Sequence, residues 1–363
     1  MKKIRVKLRQ NSYDVVIGAG LLSQAGRELR RLLPHTGSQV LVVTSPNVRR
    51  YWGRQLEESL KDARLKYRVL EMNDGEPAKR LQTVEQLAEQ MMAAGADRKA
   101  LLVALGGGVV GDSVGFLASI FMRGIPVVQI PTTVLAQVDA SIGGKTGVNL
   151  RAGKNLLGTF HQPKAVLVDP TVLGTLEERE FRAGLFESLK CGVIRDRKLF
   201  DFMTQHAARI RERDRRALER IIVDSVRVKA KVVSADERES GLRRILNFGH
   251  TIGHALESAT GYNQLLHGEA VAWGMIAAAT LAHEAGICRR ETAERIQAAV
   301  HTYGPLPPVS IQADEVTRRL KSDKKTIAGA IHWVLPQKVG KVKIVSGVEN
   351  TAVEKAVRGI CDL

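Results

Sequence analysis

The first half of the chain alternates two rhythms. Short β-branched runs, "SYDVVIG", "QVLVVTS", "KYRVLEM", "KALLVALGGG", "IPVVQIPTT" and "KAVLVDP", end in turn chemistry and read as strands. Between them "LLSQAGRELRRLL", "NVRRYWGRQLEESLKD", "RLQTVEQLAEQMMAAG" and "VVGDSVGFLASIFM" carry helical spacing. That alternation predicts a doubly wound, Rossmann-like parallel sheet with helices on both faces. From about residue 175 the spacing turns helical, through "EEREFRAGLFESLKCGVIRD", "DRRALERIIVDSVRVKAKVVS", "HTIGHALESATG", "GEAVAWGMIAAATLAHEAG" and "RRETAERIQAAVHTYG". Near the end "AIHWVLP" and "GKVKIVSG" predict a small hairpin. The expected division is an α/β domain over 1–174 and a mainly α-helical domain over 175–363, with the boundary near "DPTVLGTLEERE".

Composition changes this picture little. At 363 residues, 44% hydrophobic and 26% charged, the chain can hold two domains and a sizeable core; with aromatics at 4%, that core should be Ala, Val, Leu and Ile. Apolar runs such as "AVAWGMIAAATLA" are too short to span a bilayer, and "MKKIRVKLRQNSYDVVIG" has no apolar stretch behind its lysines. No membrane partner and no signal peptide are expected. Cys191, Cys288 and Cys361 lie far apart without a CxxC pair, which points to a reducing, cytoplasmic setting.

The net charge of +17 raises the possibility of nucleic-acid binding. Against it, basic residues are interleaved with acids, as in "RERDRRALER", and no zinc-finger or RNA-recognition signature is present. A basic surface around an anionic small-molecule site is the better reading, with no nucleic-acid partner.

Three stretches carry chemistry. "ALGGGVVGDSVGF" sets Gly106, Gly107 and Gly108 between a predicted strand and a predicted helix, where backbone N–H groups and the helix start can take a diphosphate. It is not GxGxxG, and no acid follows at the ribose spacing; Asp74, Glu76 and Lys79, after another strand end, can fill that role. The polar block "TTVLAQVDASIGGKTGVNLRAGKNLLGTFHQP" offers Lys145, Lys154 and Asn155 to an anionic substrate. Finally, three of nine histidines gather in "NFGHTIGHALE" and "HGEAVAWGM". His250 and His254, four apart, share a helix face, and His267 opens the next helix, a pattern suited to a metal with three protein ligands and an open position. Glu187, Glu257 and Glu269 are candidates for the carboxylate, and spacing chooses neither among them nor between metal-binding and acid–base histidines.

Together "GGGVVGD", "FMRGIPVVQIPTTVLAQVDASIGGKTGVN", "GKNLLGTFHQP", "DERESGLRRILNFGHTIGHALE", "LLHGEAVAWGM" and "DKK" resemble 3-dehydroquinate synthase, over nearly the whole chain and in the right order. The resemblance implies conversion of the sugar phosphate 3-deoxy-arabino-heptulosonate 7-phosphate to 3-dehydroquinate and phosphate, in the shikimate pathway. The implied course is transient oxidation by NAD, phosphate elimination, re-reduction, ring opening and aldol closure. NAD, one divalent metal (zinc or cobalt) and a homodimer are implied with it. By the same resemblance Glu187, His250 and His267 bind the metal, and His254 does substrate and proton-transfer work. NAD falls to Asp74, Gly75, Glu76 and Lys79, to Gly107, Gly108, Val109, Val110, Gly111 and Asp112, to Thr132 and Thr133, and to Val172, Leu173, Gly174 and Thr175. Asp139, Lys145, Asn155, Lys190, Lys229, Arg243 and Asn247 meet the substrate, and Lys145 and Lys154 are shared with the NAD side. Arg123 resembles an arginine reaching the phosphate across the dimer, and Lys324 or Lys325 closes over the phosphate end. Phe186 and Cys191 depart from the family's usual Ala and aromatic, without removing a reacting group. Other sugar-phosphate cyclases, such as 2-deoxy-scyllo-inosose synthase, are the nearest rivals; Asn247 and His254 favour dehydroquinate synthase over the sedoheptulose-phosphate cyclases.

Overall fold

The computed structural model describes residues 1–33, 35, 37–322 and 331–361. The chain forms two compact units, Met1–Glu177 with Lys229–Arg238, and Glu178–Val228 with Glu239–Leu363. The first unit is therefore not one stretch of chain, although a single boundary near 175 is what the rhythm of the sequence suggests. Polar contacts tie the later segment in: Lys229 Nζ donates to the Asp139 carbonyl at 2.7 Å, and the Ser234 hydroxyl accepts from the Lys7 N–H at 2.9 Å.

The first unit is built on a seven-stranded sheet in the order β1 (Lys2–Val6), β2 (Tyr13–Ile17), β9 (Ala165–Val168), β6 (Val127–Pro131), β5 (Leu101–Gly106), β3 (Val40–Thr44) and β4 (Tyr67–Glu71). Only β1 pairs antiparallel; every other neighbour is parallel, as the alternation predicts. β3, β5, β6 and β9 are buried on both faces, so they read as continuous apolar runs rather than as alternation. Val40, Val42, Leu101 and Val103 pack on one face against Leu29, Leu56 and Leu60, while Leu41, Val43, Leu102 and Ala104 meet Leu87, Val114 and Leu117 on the other. The strand order turns between β3 and β5: β4 lies to one side of β3, and the chain then returns to β5 on its other side. Ligands collect outside the carboxyl ends at such a point.

Two elements go beyond the strands read from the sequence. β1 is an edge strand with Lys2, Lys3 and Arg5 exposed and only Val6 buried; Lys3 and Arg5 pair with Asp14 on β2 at 2.8 and 3.1 Å. The block after residue 140 forms an antiparallel hairpin of β7 (Lys145–Leu150) and β8 (Gly153–Phe160). Gly147 faces Gly158 there, and a Cβ on Gly158 would lie 2.2 Å from the Thr146 carbonyl oxygen.

The second unit is helical. Its central helices, Glu178–Arg195 and His267–Glu284, are buried around most of their circumference. The helices Arg197–Gln205, His250–Ala259, Arg290–Thr302 and Asn350–Cys361 surround them, and β10 (Trp333–Lys338) pairs with β11 (Lys341–Val345) as the expected hairpin. No helix among the described residues is long and apolar enough to cross a membrane.

Candidate functional site

In the first unit the glycine-rich turn is where the pattern places it. β5 ends at Gly106, Gly107 caps the helix Gly108–Ile120, and the first-turn N–H groups have no partner within the helix. The backbone is exposed to a ligand because side chains are missing where others crowd in: a Cβ on Gly107 would lie 2.9 Å from Thr133 Cγ2. This cradle suits a diphosphate.

A chain of polar contacts runs from it. Lys79, 4% exposed, donates to Asp112 Oδ2 at 2.6 Å and to Asn155 Oδ1 at 2.5 Å. Asn155 N–H donates to Asn149 Oδ1 at 2.9 Å, and Asn149 Nδ2 donates to Glu76 Oε1 at 2.7 Å. Burial pushes the Asp112 carboxyl up, the Lys79 ammonium only partly opposes it, and Glu76 adds to the rise. Asp74 accepts from Asn47 at 2.8 Å and follows β4 with Gly75, whose φ is 83°. Thr132 and Thr133 follow β6, and the Thr132 N–H donates to the Gly106 carbonyl at 3.0 Å. Val172, Leu173, Gly174 and Thr175 lie in the turn Pro170–Thr175, where Thr175 Oγ1 accepts from Trp52 at 2.9 Å. Val109, Val110 and Gly111 fill the first helical turn.

Of the substrate-binding candidates in this unit, Asp139 and Lys229 form an ion pair. Lys145 opens β7 exposed, and Lys154 lies on β8 half-buried. Arg123 stands outside these contacts, exposed and in the left-handed region at φ 69°. Lys324 and Lys325 lie outside the described residues.

The second unit gathers the histidines. His250 and His254 share a face of the helix His250–Ala259, and His267 opens the helix His267–Glu284. One ligand atom from each of the three lies within 4.8 Å of the others. Glu187 comes from the helix Glu178–Arg195, and its Oε1 lies 3.6 Å from His250 Nε2 and 3.7 Å from His267 Nε2. Those spacings exceed a hydrogen bond but approach the ~3.4 Å between ligand atoms on a tetrahedral cation. Glu187 is fully buried; Lys190 pairs with its Oε2, while Oε1 has no hydrogen-bond partner among the described residues. A buried carboxylate oxygen left without a hydrogen bond is costly unless something else compensates it. A divalent cation among these donors does so, and the residues present fit one.

The ring orientations agree. His250 Nδ1 donates to the Phe248 carbonyl at 3.1 Å, and His267 Nδ1 donates to Glu257 Oε2 at 3.1 Å, which leaves both Nε2 lone pairs toward Glu187. Burial alone would push the His267 imidazole down; the hydrogen bond and charge of Glu257, with the charge of Glu187, outweigh burial and Lys190 and raise its pKa. Glu269 has another task, accepting from the Leu266 N–H at 2.8 Å and from Arg179 through both oxygens at 2.7 Å.

Missing side chains let the three helices approach. A Cβ on Gly268 would lie 1.9 Å from the Ala183 carbonyl oxygen, and one on Gly274 would lie 1.9 Å from that of Gly249. Phe186, 1% exposed, packs into the core, and Glu187 beside it still faces both histidines. Arg243 and Asn247 lie in the turn Leu242–Asn247, where Asn247 Nδ2 donates to Glu239 Oε1 at 2.6 Å. Glu239 and Asn149 are polar partners that the sequence reading missed. Both lie in stretches rich in other polar residues, so neither carries a signal of its own.

Comparison with known proteins identifies the family. Residues 69–183 match the family 3-dehydroquinate synthase N-terminal, and residues 184–326 match 3-dehydroquinate synthase C-terminal. The chain is 54% identical over 359 residues to the 3-dehydroquinate synthase of Koribacter versatilis (strain Ellin345), covering 98% of this chain and 97% of the other. Its structure is similar to that of 2-epi-5-epi-valiolone synthase from Streptomyces hygroscopicus subsp. jinggangensis 5008, solved with NAD+ and Zn2+ bound (TM-score 0.89, 34% identity, 98% of each chain). It is also similar to 2-deoxy-scyllo-inosose synthase complexed with carbaglucose-6-phosphate, NAD+ and Co2+ (TM-score 0.87, 27% identity, 99% of this chain and 100% of the other). Sequence motifs, fold and full-length similarity converge on one result: this chain is a member of the 3-dehydroquinate synthase family.

Proposed function

We propose that the chain performs the family's reaction on 3-deoxy-arabino-heptulosonate 7-phosphate with NAD and one divalent metal, zinc or cobalt. The observation that carries this reading is Glu187 Oε1, buried with no hydrogen bond of its own and facing two correctly oriented imidazole nitrogens at 3.6 and 3.7 Å. In this reading Glu187, His250 and His267 hold the cation, and Lys190 offsets part of the carboxylate charge. His254, in the same cluster but not in the ligand set, is left to orient the substrate and move a proton. When bound, the metal supplies Lewis acidity toward substrate oxygens, and NAD supplies a hydride acceptor regenerated within each turnover.

The cradle at Gly107–Val110 would hold the NAD diphosphate, Asp74 and Glu76 the ribose, and Lys79 with Asp112 the remaining polar edge. Thr132, Thr133, Lys154 and the turn Val172–Thr175 complete that set. Asp139, Lys145, Asn155, Lys190, Lys229, Arg243 and Asn247 would hold the substrate's carboxylate, hydroxyls and phosphate, with Arg123 and Lys324 or Lys325 at the phosphate end. A homodimer, implied by the family resemblance, belongs to the same reading. So does a cytoplasmic setting.

Mixing the protein with NAD, zinc and the heptulosonate phosphate should release inorganic phosphate without net NADH. Accumulating NADH, or no phosphate release, would count against the proposal.

A further inference from the structure

Glu257 has no part in the ligand set, yet it is a carboxylate only 2% exposed on the helix His250–Ala259. It lies seven residues after His250 and three after His254, on the same helix face. A buried carboxylate needs a partner of matching chemistry, and it has one in His267 Nδ1 at 3.1 Å. An ionised carboxylate can only accept, so the proton sits on Nδ1 and the Nε2 lone pair points at Glu187, 3.7 Å away. His250 is oriented differently, by the neutral carbonyl of Phe248 at 3.1 Å. The two imidazoles are thus held by unlike acceptors, one of them carrying a full negative charge.

We infer that Glu257 is a positioning residue of the metal centre, holding His267 in its metal-binding tautomer and strengthening Nε2 as a donor. The inference rests on the reading of this cluster as a metal site. An anionic acceptor behind an imidazole raises its basicity, and loss of such a partner typically weakens metal binding 10–100-fold. Glu269 cannot replace it, since Arg179 and the Leu266 N–H occupy both its oxygens.

The test is the zinc dissociation constant of the full chain, read by competition with a chromophoric chelator, for wild type, Glu257→Gln, His267→Cys, which keeps a zinc ligand but has no ring N–H, and the double variant. Glu257→Gln should weaken zinc binding by roughly 10–100-fold. In the His267→Cys background the same substitution should change the constant by less than about twofold, because the effect passes through the His267 ring. A constant unchanged in the single variant overturns the inference, and so does an equal loss in both backgrounds, which marks general structural damage. Wild type that takes up no zinc overturns the metal reading itself, a separate and recognisable result. Should the Gln variant fail to fold, Glu257→Asp keeps the charge but withdraws it from Nδ1. About tenfold weaker binding is then expected, and an unchanged constant decides against the inference.

Discussion

The two sites are made of different materials. The cradle of the first unit is largely backbone, contained between Gly106 and Val110, where an absent Cβ matters more than any side chain present. The cluster of the second unit is all side chain, drawn from three helices and from positions as far apart as Glu187 and His267. A backbone site should tolerate changes around it and fail when a methyl group is added. A side-chain cluster should fail when any ligand is removed, and weaken when the helices that carry the ligands are pushed apart.

The sharpest way to break that contrast is His250→Ala. It should remove bound metal and lower turnover by roughly a thousandfold or more, while NAD affinity stays within about twofold of wild type. Metal content by emission spectrometry, with NAD titration beside it, checks this; stoichiometric zinc with full activity would end the ligand role.

Gly268→Ala is next. Its new Cβ would lie 1.9 Å from a backbone oxygen of the neighbouring helix, which cannot rotate away. Overpacking of this kind costs about 1–3 kcal/mol, so thermal melting should fall by several degrees and zinc affinity should drop with every ligand intact. An unchanged melt and affinity would show that close helix approach does not set the cluster.

Gly107→Ala tests the other site. The Cβ meets Thr133 Cγ2 at 2.9 Å, a side-chain atom that can shift somewhat, so NAD binding should weaken by about tenfold and zinc affinity should not move. Equal losses of NAD and zinc would mean that the two sites are not independent.

The smallest effect lies away from both sites, at Asp14. Burial alone would push its carboxyl up, but hydrogen bonds and charges from Lys3 and Arg5 outweigh it and hold the group below the usual range. The lowered folded-state pKa adds stability above the unfolded carboxylate pKa, and that stability is lost as pH falls through the folded value. Lys3 and Arg5 are well exposed, so Asp14→Asn should cost only about 0.5 kcal/mol at neutral pH. The difference should vanish in strong acid, while NAD and zinc binding stay intact. Denaturant melts across the pH range read it.

Most of the sheet was legible because β3, β5, β6 and β9 are apolar runs, and β2 and β4 are β-branched runs, bounded by turns. β1 carries only a short alternation, Ile4 and Val6 among Lys2, Lys3 and Arg5, which is a weak signal beside those runs. The β7–β8 hairpin hid in a stretch of Gly, Lys and Asn chosen for close backbone approach rather than for β-propensity. In the cluster, the shared face of His250 and His254 followed from spacing, and the same rule extended by three residues reaches Glu257. Nothing local separated Glu187 from Glu257 and Glu269: one carboxylate faces two imidazoles, one lies behind an imidazole, and one binds Arg179 and the start of a helix.

Short-range pattern suffices for whatever depends on neighbours a few residues apart. That covers the strand–helix alternation, the glycine turn at a strand's carboxyl end, the helix face of the histidines and the full-length family motifs. Spacing left the carboxylate open and the family resemblance pointed to Glu187; the packed helices bring it to His250 and His267, and they also put residues 229–238 with the first unit. The reason is physical: side chains dozens of residues apart converge only after helices pack, and that packing is set by backbone contacts at Gly268 and Gly274 that no short-range period records.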